Sequence, residues 1–286
     1  MNPKASLILG IICISFSPIL VKLADVSPIV SAFYRMTFAW IVLAPYVLFK
    51  GELSIARKDL LLALLGGVIF AADIAVWNMS LVLISATIST LVANLAPVWV
   101  GLLSYVFFRK KSGPLFWAGT FIAIAGMVIL VGASNLLHLQ INLGLLLALA
   151  ASFLYALYIL LTKGILRRIN TITFMSYSMM ASVLFLLVIC ILQGDNLLHY
   201  QPITWFYFAA MGILCQLVGW ITINYAIMKL EATKVAVALL TQTVIAGILA
   251  AFLLHEKLGV KEIIGSIIVL GGIAVTFLKP KKLNNL

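Results

Sequence analysis

The chain has 286 residues, 64% of them hydrophobic and only 9% charged, with a mean hydropathy of +1.21, against roughly 25% charged residues in an ordinary soluble domain. This composition argues against a water-soluble fold, and ten bilayer crossings of about 20 residues each leave fewer than about 90 residues for loops and tails, too few for a separate soluble domain. The net charge of +11 would suggest nucleic acid in a soluble protein; in a membrane chain it is first read by side, and no nucleic-acid partner is expected.

Apolar runs bounded by charge, Gly or Pro predict ten crossings: Ser6 to Ala24, Pro28 to Phe49, Asp59 to Ser80, Ala86 to Phe108, Pro114 to Val131, Leu143 to Thr162, Ile172 to Leu192, Ile203 to Met228, Thr233 to Leu254 and Gly259 to Leu278. The first keeps Lys22 near its far end and lacks a small-x-small cleavage signature, so it is expected to be a retained helix. Pro18 predicts a kink in it, a candidate gating hinge. Cys13, Cys190 and Cys215 lie in apolar runs without metal-type spacing and are expected as free buried thiols.

Translocating Lys and Arg is disfavoured. With the N-terminus inside, fifteen of the nineteen basic residues fall on the inner face: Lys4; Lys50, Arg57, Lys58; Arg109, Lys110, Lys111; Lys163, Arg167, Arg168; Lys229, Lys234; and Lys279, Lys281, Lys282. The outer side keeps Lys22, Arg35 within the second crossing, Lys257 and Lys261. The expected class is therefore an all-α polytopic membrane protein with ten transmembrane helices and both ends cytoplasmic.

Sliding the chain against itself by 146 residues places Gly66 on Gly212, Asn78 on Asn224, Ala86 and Thr87 on Ala232 and Thr233, and Gly101 on Gly247. Lys111, Gly113, Gly119 and Gly126 then fall on Lys257, Gly259, Gly265 and Gly272. Polar and glycine matches in one register predict a duplicated five-helix unit. Because five is odd, the second copy is inverted, the plan of many alternating-access carriers. The expected units are residues 1-131, an outer linker at 132-142, residues 143-278 and a basic tail at 279-286.

Three features resemble the EamA-type drug/metabolite transporters: Ser27-Pro28 with Arg35 at the start of the second crossing, the Leu254-His255-Glu256-Lys257-Leu258 turn before Gly265 and Gly272, and the five-plus-five plan. Asp73-x-x-x-Trp77-Asn78-x-Ser80 followed by Ala93-Asn94-Leu95-Ala96-Pro97 is similar to the branch containing bacterial aromatic amino-acid exporters. Arg109-Lys110 stands where the family commonly has Gly-Glu, and His255 replaces a Gly of the second copy. The resemblance implies a central cavity lined mainly by crossings 1, 3, 4, 6, 8 and 9. It also implies export of amino acids, related metabolites or drugs across the inner membrane.

Asp73 is the only acid well inside a predicted crossing, where an ionised carboxylate is costly unless paired or wet. Arg35 lies about 10 Å and Asp73 about 12 Å in from the outer ends of their helices, at 1.5 Å per residue. An Arg35–Asp73 ion pair is therefore expected, either as a structural bridge or with Asp73 available to substrate or proton. Asn78 and Asn224 should face protein or a cavity. Gln216, Trp220 and Asn224 share one helical face, and Thr87, Thr90, Asn94, Pro97 and Gly101 form a comparable stripe. Pro97 is a second hinge candidate, freeing a backbone carbonyl. Tyr155 and Tyr158, with Trp40, Trp77 and Trp99 away from the interfaces, suit an aromatic wall, whereas Trp117 and Trp205 fit interfacial anchors. Each of these polar or aromatic groups could equally serve helix packing. Gly119, Gly126, Gly265, Gly271 and Gly272 are expected to do so.

A polytopic enzyme needs convergent acids, histidines or an activated nucleophile. His138, His199 and His255 fall in outer loops or helix ends, and no Gly-x-Ser-x-Gly or ATP-binding Gly-x-x-x-x-Gly-Lys-Ser/Thr occurs. The expectation is a secondary carrier for a small molecule in a lipid bilayer, with no cofactor, metal or obligate protein partner. A flippase or channel is the neighbouring alternative.

Overall fold

The structure is a computed structural model that describes residues 2–51, 54–84, 89, 92–109, 111–131, 142–253 and 259–278. Ala86, Thr87, Thr90, Lys110, His138, most of the expected linker, the His255-Glu256-Lys257 turn and the basic tail lie outside the described residues. Every regular element among the described residues is helical. Eight helical stretches are long and apolar enough to cross a membrane, and two shorter apolar helices, Ala96–Phe108 and Pro114–Ile129, bring the number to ten.

The first crossing is two helices, α1 (Pro3–Ser15) and α2 (Ser17–Ala24), separated at Phe16. It is followed by α3 (Pro28–Lys50), α4 (Arg57–Leu83), α5 (Ala96–Phe108) and α6 (Pro114–Val131). Then come α7 (Leu143–Ile165) and α8 (Thr171–Gln193). The eighth crossing is α9 (Pro202–Ala210), a π-helical segment (Met211–Gly219) and α10 (Trp220–Lys229). The ninth is α11 (Ala232–Ala238) and α12 (Thr241–Leu253), and α13 (Val260–Phe277) is the last helix among the described residues.

Local chemistry sets several of these ends. Asn142 and Asn170 accept the backbone N–H groups of Leu145 and Thr173 at 2.9 and 2.7 Å, capping α7 and α8. Pro28 occupies the first turn of α3, where a missing N–H costs nothing. Gly51 and Gly194 end α3 and α8 in the left-handed region, which glycine enters without a Cβ penalty.

Small residues bring the helices together. A Cβ on Gly119 would lie 2.4 Å from the Gly272 carbonyl oxygen, and one on Gly126 would lie 2.9 Å from that of Gly265, so α6 and α13 cross backbone to backbone. Gly271, grouped with them in the sequence, faces open space. Helix α4 packs against both α7 and α8, with Gly67 against the backbone of Ser178 and the Ser182 hydroxyl donating to the Gly67 carbonyl at 2.8 Å. On the other side, Gly10 of α1 meets Gly219 of the π segment, and Ser6 donates to the Thr222 carbonyl. The three cysteines are free and buried, as expected.

At one end of the bundle Arg168 donates to Asp59 at 2.7 Å, joining the α7–α8 turn to the start of α4. The Arg168 side chain is 47% exposed, so solvent screening leaves this pair worth less than about 1 kcal/mol. Arg168→Ala is accordingly expected to lower the thermal midpoint by no more than a few degrees, as measured by fluorescence in detergent.

Candidate functional site

The interior residues singled out in the sequence converge from α2, α3, α4, α7, the π segment and α10. Arg35, on α3, donates through Nε to Gln216 Oε1 and through Nη1 to Ser17 Oγ, both at 2.9 Å. The break at Phe16 puts Ser17 at the first position of α2. Gly212 lets the π segment approach α3 closely enough for Gln216 to reach the guanidinium: a Cβ there would lie 2.5 Å from Phe38 Cβ and 3.0 Å from the Arg35 carbonyl oxygen.

The expected Arg35–Asp73 ion pair does not form. The ion pairs among the described residues are Arg168–Asp59 and Lys234–Glu231, and Asp73 has neither a hydrogen bond nor an ion pair to any described residue. Similar depth along two helices does not fix azimuth: Arg35 turns toward α2 and the π segment, whereas Asp73 sits half-buried on α4, one turn from the buried Phe70. Tyr155 on α7 lies within electrostatic reach of both charges.

An aromatic wall forms beside them. Phe70 stands 4.6 Å from Tyr158 and 4.7 Å from Trp220 between ring centroids, the latter edge-on, and Tyr155 and Tyr158 meet Trp220 edge-on at 6.2 and 5.4 Å. Trp220 Nε1 is buried without a hydrogen-bond partner among the described residues. Phe70 was not singled out in the sequence, although its place three residues before Asp73 puts it on the same face. Asn224 and the Tyr158 hydroxyl meet at 3.3 Å, with the amide nitrogen as donor. Tyr158→Phe leaves that buried amide without this partner and is expected to cost about 1–2 kcal/mol, read as a lowered unfolding midpoint while Asn224→Leu in the same background restores part of it.

Other candidates lie elsewhere. Asn78 donates to the Pro28 carbonyl at 3.1 Å, tying α4 to the start of α3. Trp99 donates to Ser152 Oγ at 2.9 Å, a link between α5 and α7. Trp77 is partly buried, with its Nε1 buried and unpartnered among the described residues. Trp205, in the first turn of α9, packs among Tyr34, Tyr200 and Phe208.

Both hinge expectations need correction in position. Pro18 lies in the first turn of α2, one step after the interruption at Phe16, and Pro97 lies in the first turn of α5, after a turn at residues 94–95 that includes the partly buried Asn94. Neither proline kinks a continuous helix; each starts a new one, because its ring is tolerated at a helix start. Two irregularities without a proline were missed: the interruption at residues 239–240 and the π-helical ladder around Gln216. The only sequence signal for the second is the glycine pair Gly212 and Gly219 at its edges.

A bundle of apolar helices with charged and amide groups gathered mid-span defines a multi-pass membrane protein with an interior polar site. Residues 5–132 and 142–278 match the EamA-like transporter family; the chain belongs to that family and is a transporter. An uncharacterized transporter of Archaeoglobus fulgidus is 27% identical over 98% of this chain and 99% of its own length. A probable terminal-alkyne amino-acid exporter of Streptantibioticus cattleyicolor is 24% identical over 84% of this chain and 80% of its own. A crystal structure with 19% identity superposes with a TM-score of 0.83 over 99% of both chains, a likeness of fold.

Proposed function

We propose that the protein is a secondary transporter exporting amino acids, aromatic ones included, or related small metabolites across the cell inner membrane by alternating access. The observation that carries this reading is the separation of Arg35 from Asp73. A guanidinium held by two neutral partners keeps three of its five N–H donors for another acceptor, and a carboxylate without a described partner lies within reach of the same tyrosine. Opposite charges kept apart in a low-dielectric interior are costly. A zwitterion offsets that cost by placing its carboxylate at Arg35 and its ammonium at Asp73, with an apolar side chain against Phe70, Tyr158 and Trp220. The amino-acid exporter among the relatives supports the same class.

The proposed architecture is two inverted five-helix repeats, residues 1-131 and 143-278, with a linker between them and both termini cytoplasmic. Three observations support it. The family matches the chain twice. The register of 146 exchanges Gly119 with Gly265 and Gly126 with Gly272, so it maps the Gly119–Gly272 contact onto the Gly126–Gly265 contact. The turn before α5 and the interruption between α11 and α12 fall at matching places in that register to within about a residue.

Counterflow of labelled phenylalanine and leucine into proteoliposomes, with and without a pH gradient, tests the function. Saturable exchange is expected, with N-acetylphenylalanine and phenylethylamine at least about tenfold weaker as competitors, since each lacks one charge-assisted contact. A rate that never saturates would indicate a channel, and absence of any amino-acid exchange would overturn the substrate class.

A further inference from the structure

At the basic end of the bundle, a cleft of about 340 Å³ opens between the α5–α6 turn and the ends of α7 and α10 with the start of α11. Its lining carries Lys111, Lys163, Arg167, Lys229 and Lys234 against one acid, Glu231. These cations are not equivalent. Lys163 donates to the Met228 and Leu230 carbonyls at 2.9 and 2.6 Å, fixing the α10–α11 corner as a wall of the cleft. Arg167 lies over the Phe108 ring at 5.5 Å, which aligns its guanidinium across the α5 end. Lys234 takes Glu231 at 3.4 Å. Lys111 and Lys229 have no acidic partner among the described residues.

The sequence supplies little to neutralise them. Among the described residues the acids at this end are Asp59 and Glu231; Asp59 is occupied by Arg168 and Glu231 by Lys234. The cleft therefore concentrates positive charge at the ends of membrane-spanning helices, the depth at which lipid phosphates lie. A basic pocket between helices on the cytoplasmic side is suited to a lipid headgroup. A phosphate offers several acceptor oxygens to diverging lysines and a guanidinium, which a single carboxylate cannot match.

We propose that this cleft seats one phosphate group, supplied by an anionic lipid of the adjoining leaflet, held chiefly by Lys111, Arg167 and Lys229. Because Lys111 comes from the first family-matched stretch and Arg167 and Lys229 from the second, the occupant ties the two stretches together at this end. The inference rests on the cleft and its charge, and does not depend on the amino-acid reading.

The test reconstitutes the full chain in nanodiscs of phosphatidylcholine, with or without phosphatidylglycerol, and separately in phosphatidylcholine with inorganic phosphate added. Retained lipid is read by native mass spectrometry and stability by thermal unfolding. One phosphatidylglycerol per chain, with a raised midpoint, is expected. The double variant Lys111→Gln/Lys229→Gln should retain it about thirty-fold less tightly, two lysines' worth of headgroup attraction. Lys4→Gln/Lys50→Gln removes the same charge from this end of the chain outside the cleft and should change retention little. Stabilisation by inorganic phosphate but not by phosphatidylglycerol would keep the phosphate site and assign it to a soluble ligand. Equal losses in the two double variants, or no retention of either ligand, would overturn the proposal.

Discussion

Asp73→Asn is expected to abolish saturable amino-acid counterflow, or weaken apparent affinity by about ten- to a hundredfold, while leaving the thermal midpoint unchanged or higher. The magnitude is that of one charge-assisted contact to an ammonium, about 1.5–3 kcal/mol. The direction of the stability change decides between two accounts. If Asp73 were half of a buried ion pair, neutralising it would strand Arg35 and cost about 3–5 kcal/mol. In the structure Arg35 is held by Gln216 and Ser17, and Asp73 has no described partner to strand. The isosteric asparagine removes an uncompensated charge from a membrane span, a change that favours the folded state. A fall of many degrees with transport intact would reverse the assignment and make Asp73 a structural residue. Arg35→Gln is the complementary variant: it strands Gln216 and Ser17, so it should lower both stability and transport.

Gly67→Ala is expected to be the most damaging small substitution for folding. A Cβ at this position would lie 2.0 Å from the Ser178 carbonyl oxygen and 2.8 Å from its carbonyl carbon, and both are backbone atoms that no side-chain rotation can move. The helices α4 and α8 must separate to admit a methyl group, losing the Ser182 bond to the Gly67 carbonyl as they do. The cost should exceed the about 1–3 kcal/mol of ordinary overpacking, seen as loss of monodisperse protein on size-exclusion chromatography. Gly271→Ala supplies the contrast. Nothing lies within 4 Å of a Cβ there, and helix propensity alone should make alanine better by about 0.8–1 kcal/mol. If Gly67→Ala behaved like Gly271→Ala, the close α4–α8 packing would be wrong.

The helix inventory was legible because the bilayer imposes a length and a polarity on each crossing: α3, α6 and α8 begin and end within a residue or two of where charge, Pro and Gly placed them. Gln216, Trp220 and Asn224 were legible as a set from their four-residue spacing: Gln216 reaches Arg35, and Trp220 and Asn224 both meet Tyr158. The partner of Arg35 was not. Depth can be counted from sequence, but which neighbour a side chain turns toward depends on the rotation of each helix about its axis. That rotation is fixed by tight contacts such as Gly212 against Arg35 and Phe38. The interruptions were half legible: a proline marks a nearby break at Phe16 and at residues 94–95, but residues 239–240 carry no comparable punctuation.

Those interruptions have a mechanical consequence. Ser15, the last residue of α1, donates its hydroxyl to the Ile11 carbonyl at 2.6 Å, and the same Oγ lies 3.4 Å from the carbonyl oxygen of Gln242, so the gap in the first crossing touches the gap in the ninth. Bending a continuous α-helix breaks rungs of its hydrogen-bond ladder, whereas at residues 239–240 the regular rungs give way to i→i+3 bonds, from Leu240 N–H to Val237, Gln242 N–H to Leu239 and Thr243 N–H to Leu240 at 3.0–3.1 Å. The rods α2 and α12 therefore begin at neighbouring irregular points, where a change in tilt rearranges a turn and leaves the regular ladder of each rod intact.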